Sequence, residues 1–185
     1  MSGPVPEPAP TEDDGAVTGG RRLPEGARGD AVVVLGASLV LGLAGAVLWW
    51  VLTEPAMFTV GEGGTLGMGE VELADRFSAT GWFTVLSAIF GGLSGGALTW
   101  WRGRDPVLTA VLLVLGSALG TYTMATVGGW LGPQDPAVAA ASARPGELVP
   151  AALEVGAGVA YLVWTIAALA GALMVLWSPS TDVEV

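Results

Sequence analysis

Few side chains in this sequence can do chemistry, and the most suggestive are Tyr122, Thr126 and Glu154. Glu154 is the acid nearest to the centre of a long apolar run. An acid there reads either as an interfacial Glu at the positive end of a helix or as the mouth of a polar pocket. Arg76, Arg144 or a loop carboxylate are its candidate partners. Tyr122 and Thr126 stand one helical turn apart in the most polar apolar run, beside Ser117, Thr121 and Thr123. Ser and Thr hydroxyls can bond the backbone one turn back, so for them packing is the simpler reading. The phenol of Tyr122 needs a partner of its own. These three residues form the candidate polar pocket.

The residue types that are missing bound the rest. Cysteine and histidine are absent, and all seven basic residues are arginine. That excludes disulfides, thiol nucleophiles, thiolate or imidazole metal sites and histidine general bases. Glu62, Glu70, Glu72 and Asp75 could hold Ca²⁺ or Mg²⁺ through oxygen alone. Their spacing does not match an EF-hand loop, and a solvated acidic loop is the better reading. No catalytic, cofactor-binding or metal residue is expected. A net charge of −10 argues against a nucleic-acid partner, since phosphates demand a basic surface.

The stretch "IFGGLSGGALTWW", residues 89–101, tests a last chemical option. Gly91 and Gly96 have the spacing of a phosphate-binding P-loop, but Ala97 and Leu98 stand where Lys and Ser or Thr are required. The dinucleotide pattern G-x-G-x-x-G is absent from it. The glycines therefore belong to a helix.

The elements that must position these residues follow from the apolar runs. Charged residues make up 13 % of the 185-residue chain, about half the share usual for a soluble domain. Residues 31–52, 77–101, 106–134 and 155–177 carry no charge. A bilayer core of ~30 Å needs about 20 apolar helical residues, and each run is long enough. The expected fold is an all-α membrane protein, an antiparallel four-helix transmembrane bundle. Its helices are placed at about 31–52, 77–101, 106–128 and 151–177, within a domain of residues 30–178. Two extracytoplasmic loops, 53–76 and 129–150, connect them. Residues 1–29, rich in Pro, Gly and acid, read as a disordered cytoplasmic tail and not as a signal peptide. A short cytoplasmic tail spans 179–185.

Arginine sets the orientation. Arg21, Arg22, Arg28, Arg102 and Arg104 flank one side of the spans, and Arg76 and Arg144 the other. Positive flanks stay inside, which puts both termini in the cytoplasm of a bacterial cytoplasmic membrane. Trp49, Trp50, Trp82, Trp100, Trp101, Trp130 and Trp177 fall at the expected interfaces. Trp164 sits deep, where its N–H needs a partner.

Local signals add detail. Asp30 is expected to cap the first helix, Asp105-Pro106 to open the third, Pro150 to open the fourth and Ser178-Pro179 to end it. "MFTV" and "EVEL" around "GEGG" suggest a hairpin in the first loop, although "LADRF" can already be helical. Asp135-Pro136 predicts a short helix over 136–143, stopped by Pro145-Gly146.

In lipid, helices gain little from apolar contact alone, and small residues four apart permit the close approach that holds them. Ser87, Gly91 and Gly95 form one such row, and Gly116 and Gly120 another. The short turn at 102–105 predicts that these two rows meet, Gly91 against Gly116 and Ser87 against Gly120. Gly92 and Gly96 are left to face the first helix, through Ser38, Gly42 and Gly45, or another subunit.

From "ADRFSATGWFTVLSAIFGGLSGGALTWWRGR" through "LGSALGTYTMATVGGWLGP", the chain resembles a family of small four-span integral membrane proteins from high-GC bacteria. The likeness covers roughly residues 30–177. It rests on the D-R-F start of the second helix, the glycine-rich helix with its arginine turn, and the "GGWLGP" exit of the third. The resemblance implies the topology and carries no activity. The expected role is that of a non-enzymatic accessory or scaffold protein acting through helix–helix association. The alternative is a subunit of a small-molecule or ion transporter or channel. The expected partners are the lipid bilayer and a second copy or another membrane protein.

Overall fold

A computed structural model describes residue 3 and residues 26–102 and 105–178. The readings of the tails, of Arg21, Arg22 and Arg104 and of Pro179, as well as those of the Arg76 and Arg102 side chains, fall outside the described residues. Four helices are long and apolar enough to cross a membrane. They are α1 (Ala27–Leu52), α2 (Glu70–Arg102), α3 (Pro106–Leu131) and α5 (Ala160–Trp177), with a short α4 (Pro136–Ala140) between α3 and α5. The fold is not purely helical. Strands β1 (Met57–Val60), β2 (Leu66–Gly67) and β3 (Leu148–Pro150) form a small antiparallel sheet in the order β2-β1-β3.

The loops behave as their turn chemistry dictates. "MFTV" is β1, and a single 3₁₀ turn, Glu62–Gly64, returns the chain to β2. "EVEL" is not a strand; it forms the first turn of α2, where Glu70 and Glu72 face the positive end of the helix. At 33 residues, α2 is about 50 Å long, longer than the ~30 Å hydrocarbon core of a bilayer. Asp135 caps α4 by accepting from the Ala137 amide at 2.9 Å. The helix ends at Ala140, earlier than expected, and Gly146 at φ 88° turns the chain into β3. The pairing of β1 with β3, Phe58 opposite Val149, ties the two long loops together.

Two helix starts differ from expectation. Helix α1 begins at Ala27 behind Gly26, so Asp30 lies in its first turn and does not cap it. Pro150 does not open the last helix. It ends β3, residues 151–159 run on without helix, and α5 begins only at Ala160. The pull of the sheet explains the difference: Met57 pairs with Pro150, and the Ala151 amide donates to the Ala56 carbonyl at 2.7 Å. Asp105, by contrast, caps α3 as expected, accepting from the Val107 and Leu108 amides.

The helix pairing corrects the sequence reading most. The glycine row of α2 does not meet that of α3. Helix α2 packs chiefly on α5 and α1 chiefly on α3, while α2 and α3 barely touch. A Cβ on Gly91 would lie 3.0 Å from Cβ of Ala167, and one on Gly95 would overlap the Ala168 carbonyl. On the other side, a Cβ on Gly42 would lie 2.7 Å from the Gly120 carbonyl oxygen, and one on Gly116 2.6 Å from Ser38 Oγ. Gly96 faces Gly171 of α5 and not α1. The two close-packed pairs join through α3 with α5 and α1 with α2, which leaves α2 and α3 on a diagonal. The turn permits this. Four Cα steps from Arg102 to Pro106 reach ~13–14 Å, and the diagonal of a square bundle with ~8–10 Å sides is of the same order.

The core sits where the pairs meet. Trp49, Phe83, Met124 and Trp164 are fully or almost fully buried there. Trp49 meets Phe83 edge-on at 5.1 Å, and Trp164 stacks on Phe90 at 5.8 Å. Trp49 is thus part of the bundle's core. Its Nε1 donates to the Ala79 carbonyl at 2.7 Å. The ring finds room because Gly128 has no side chain: a Cβ there would lie 2.5 Å from the indole.

Candidate functional site

The face of α3 toward the sheet end carries Tyr122, Ala125, Thr126 and Gly129 at positions i, i+3, i+4 and i+7, one stripe of a helix. The non-helical segment after β3 crosses this stripe. Its side chain Leu153 is buried, and the "GGWLG" glycines make the room: a Cβ on Gly132 would lie 2.6 Å from Leu153 Cβ, and one on Gly129 3.4 Å from the Leu153 carbonyl oxygen. Further on, the Gly156 amide donates to Thr80 Oγ1 at 3.0 Å, tying the segment to α2. The segment thereby becomes one wall of an open cleft of about 580 Å³.

Tyr122, Thr126 and Glu154, singled out in the sequence, all line that cleft, together with Val155 and Tyr161. Glu154 is exposed, and with α5 starting at Ala160 it is not at the end of a helix at all. It reaches the site on the extended segment. Tyr122 is 68 % exposed and points to the outside of the bundle, not into its interior. Tyr161 was not foreseen. Its ring leans on Phe83 at 5.7 Å, which anchors the wall of the cleft to the core. Leu153 was not foreseen either. Its signal was the paired glycines of "GGWLG", which carry no information about their partner.

A second cleft of about 520 Å³ adjoins the first and shares Gly129, Leu153 and Glu154 with it. Phe58, Trp130 and Asp135 complete its rim. The resulting groove joins carboxylates, phenols and aromatic faces. Such a surface can accept hydrogen bonds and attract cations. Among the described residues that line it, the ionisable side chains are Tyr122, Asp135, Glu154 and Tyr161. Among the described residues, no three carboxylates gather as a metal site; Glu62 lies in the 3₁₀ turn, and Glu70 and Glu72 share the first turn of α2.

The helix-packing residues also have definite places. Gly91 and Gly95 line the α2 contact with α5, and Ser87, one turn before Gly91, is fully buried. Gly116 and Gly120 receive α1, and Gly120 also makes room for the Trp164 ring. Ser117 Oγ and Thr165 Oγ1 share a hydrogen bond of 2.7 Å between α3 and α5. Ser87 Oγ and Thr121 Oγ1 are buried without a partner among the described residues.

Comparison with protein families, with characterised proteins and with solved structures finds no match to this chain.

Proposed function

We propose that this chain is a multi-pass protein of a bacterial cytoplasmic membrane, with both termini inside, and that it serves as a non-enzymatic accessory or scaffold acting through helix–helix association. Four apolar helices support the membrane placement. So do five of the six exposed tryptophans, all but Trp82, which cluster at the two ends of the bundle: Trp50 and Trp130 at one, Trp100, Trp101 and Trp177 at the other. One observation favours the scaffold reading over transport. The middle of the bundle is filled by Trp49, Phe83, Met124 and Trp164, each at most 1 % exposed. A pathway through a single chain would have to pass through these side chains. The clefts at the sheet end lie on the surface, where they can receive another molecule without opening the bundle.

The test is purification of the full chain in native lipid discs, with identification of retained proteins and measurement of the assembly mass. The scaffold reading expects a second copy or another membrane protein to be retained. A lone monomer that carries solute or current across liposomes would overturn it in favour of transport.

A further inference from the structure

The cleft of about 580 Å³ on the outside of α3 selects for one ligand chemistry. Its polar side chains are the Glu154 carboxylate, the Tyr122 and Tyr161 phenols and the Thr126 hydroxyl. An ionised carboxylate only accepts hydrogen bonds, and hydroxyls accept as well as donate. The Leu153 carbonyl, beside Gly129, accepts from no described group and adds a further acceptor. No described residue lining the cleft carries a positive charge. The surroundings have the same bias. Residues 53–76 and 129–159 hold eight acids against two arginines, a net charge of −6. Such a wall favours a cation that still has N–H groups to donate, and the two phenol rings suit the same cation.

Depth narrows the source of that cation. About 20 helical residues cross the hydrocarbon core, so a count from Pro106 brings its far boundary near Thr126. Tyr122 lies one turn inside that boundary, 68 % exposed on the outside of the bundle. From Tyr122 toward the turn, Ala118, Leu115 and Val111 continue the stripe at i−4, i−7 and i−11, and all three are exposed. Tyr122 to Val111 is about 16 Å of helix, close to half of the ~30 Å core. A polar cleft at headgroup level therefore stands at the head of an apolar strip one leaflet long.

We propose that this cleft binds the primary ammonium of an ethanolamine-type phospholipid. Glu154 accepts from the ammonium, the Tyr122 and Thr126 hydroxyls donate to the phosphate beside it, and the acyl chains run along the strip from Tyr122 to Val111. The inference rests on the membrane placement given above and adds the lipid that the site prefers. Glu154 already has a contact of its own. A carboxylate has about four lone-pair sites, so the ammonium joins that contact and need not replace it. The volume lies within the ~300–1,000 Å³ usual for ligand clefts.

The experiment is native mass spectrometry of the full chain, delipidated in micelles and titrated with phosphatidylethanolamine, phosphatidylglycerol and phosphatidylcholine of identical acyl chains. The headgroups offer, in turn, a cation with N–H, no cation, and a cation without N–H. We expect one retained ethanolamine lipid, preferred about tenfold or more over the glycerol lipid, as one charge-assisted hydrogen bond supplies. The choline lipid should fall between them. Glu154→Gln should cut the preference to about threefold or less, with thermal unfolding unchanged. If its unfolding does change, Tyr122→Phe, at an exposed position, should weaken retention of the ethanolamine lipid about fivefold. Equal retention of ethanolamine and glycerol lipids by the wild type would overturn the ammonium. Undiminished retention by both variants would overturn the cleft. Glycerophosphoethanolamine, the headgroup without chains, should not displace the lipid at hundredfold excess; displacement would overturn the lipid in favour of a soluble amine. Failure of the membrane placement would appear separately and earlier, as chain released into the soluble fraction by an alkaline carbonate wash.

Discussion

Gly95 faces the carbonyl group of Ala168 so closely that no β-carbon fits between them. One turn away along the same helix, Gly92 has open space where its β-carbon would be. The two glycines thus separate packing from propensity. Gly95→Ala must push α2 off α5, at a cost of about 1–3 kcal/mol for overpacking. Gly92→Ala should instead stabilise, by up to about 1 kcal/mol of helix propensity. Thermal unfolding in detergent should move in opposite directions for the two variants.

Trp49 offers a second test. Trp49→Phe keeps most of the ring but loses the Nε1 bond to the Ala79 carbonyl, and should cost about 1 kcal/mol. Trp49→Ala empties the core above Gly128 and should cost about 3–5 kcal/mol. Equal effects for both would mean that the hydrogen bond, and not the ring, holds α1 to α2.

Buried hydroxyls are not equivalent. Ser117→Ala combined with Thr165→Val should show a coupling of about 0.6 kcal/mol, the usual size for such a bond between membrane helices. Ser87 Oγ has no partner to lose. Ser87→Ala should therefore be neutral or stabilising. A double-mutant cycle for the first pair and a single melt for the second decide the matter.

The chain contains no cysteine, so single-cysteine variants report topology directly. In intact cells, Glu62→Cys in the sheet-end cap should react with an impermeant maleimide. Arg104→Cys in the arginine turn should react only after lysis. Reversed labelling would invert the proposed orientation.

The apolar runs made the four helices legible, because the length and freedom from charge of 31–52 or 106–131 admit no other element. Asp105-Pro106 and Asp135-Pro136 were legible because capping is local chemistry. Tyr122, Thr126 and Glu154 line one cleft, but Glu154 arrives on an extended segment and not on a helix, and Tyr122 faces outward. What misled was reach. A short turn fixes the ends of two helices and says nothing about which sides they turn inward, so Gly91 and Gly116 were matched by depth when each had another partner. The start of α5 was misread for a related reason. Pro150 is a good first residue for a helix, but Met57, more than ninety positions earlier, claims it for a sheet. Glycine compounds the difficulty, because a missing side chain marks a close approach without naming the visitor.

The interleaved pairing has a consequence for biosynthesis. The intimate companions are α1 with α3 and α2 with α5, so no helix emerging from the ribosome meets its companion next. Helix α1 must wait while α2 passes, and α2 must wait until α5 is made. A nascent chain halted before Ala160 would hold Gly91 and Gly95 bare, and only synthesis of the final helix locks the assembly.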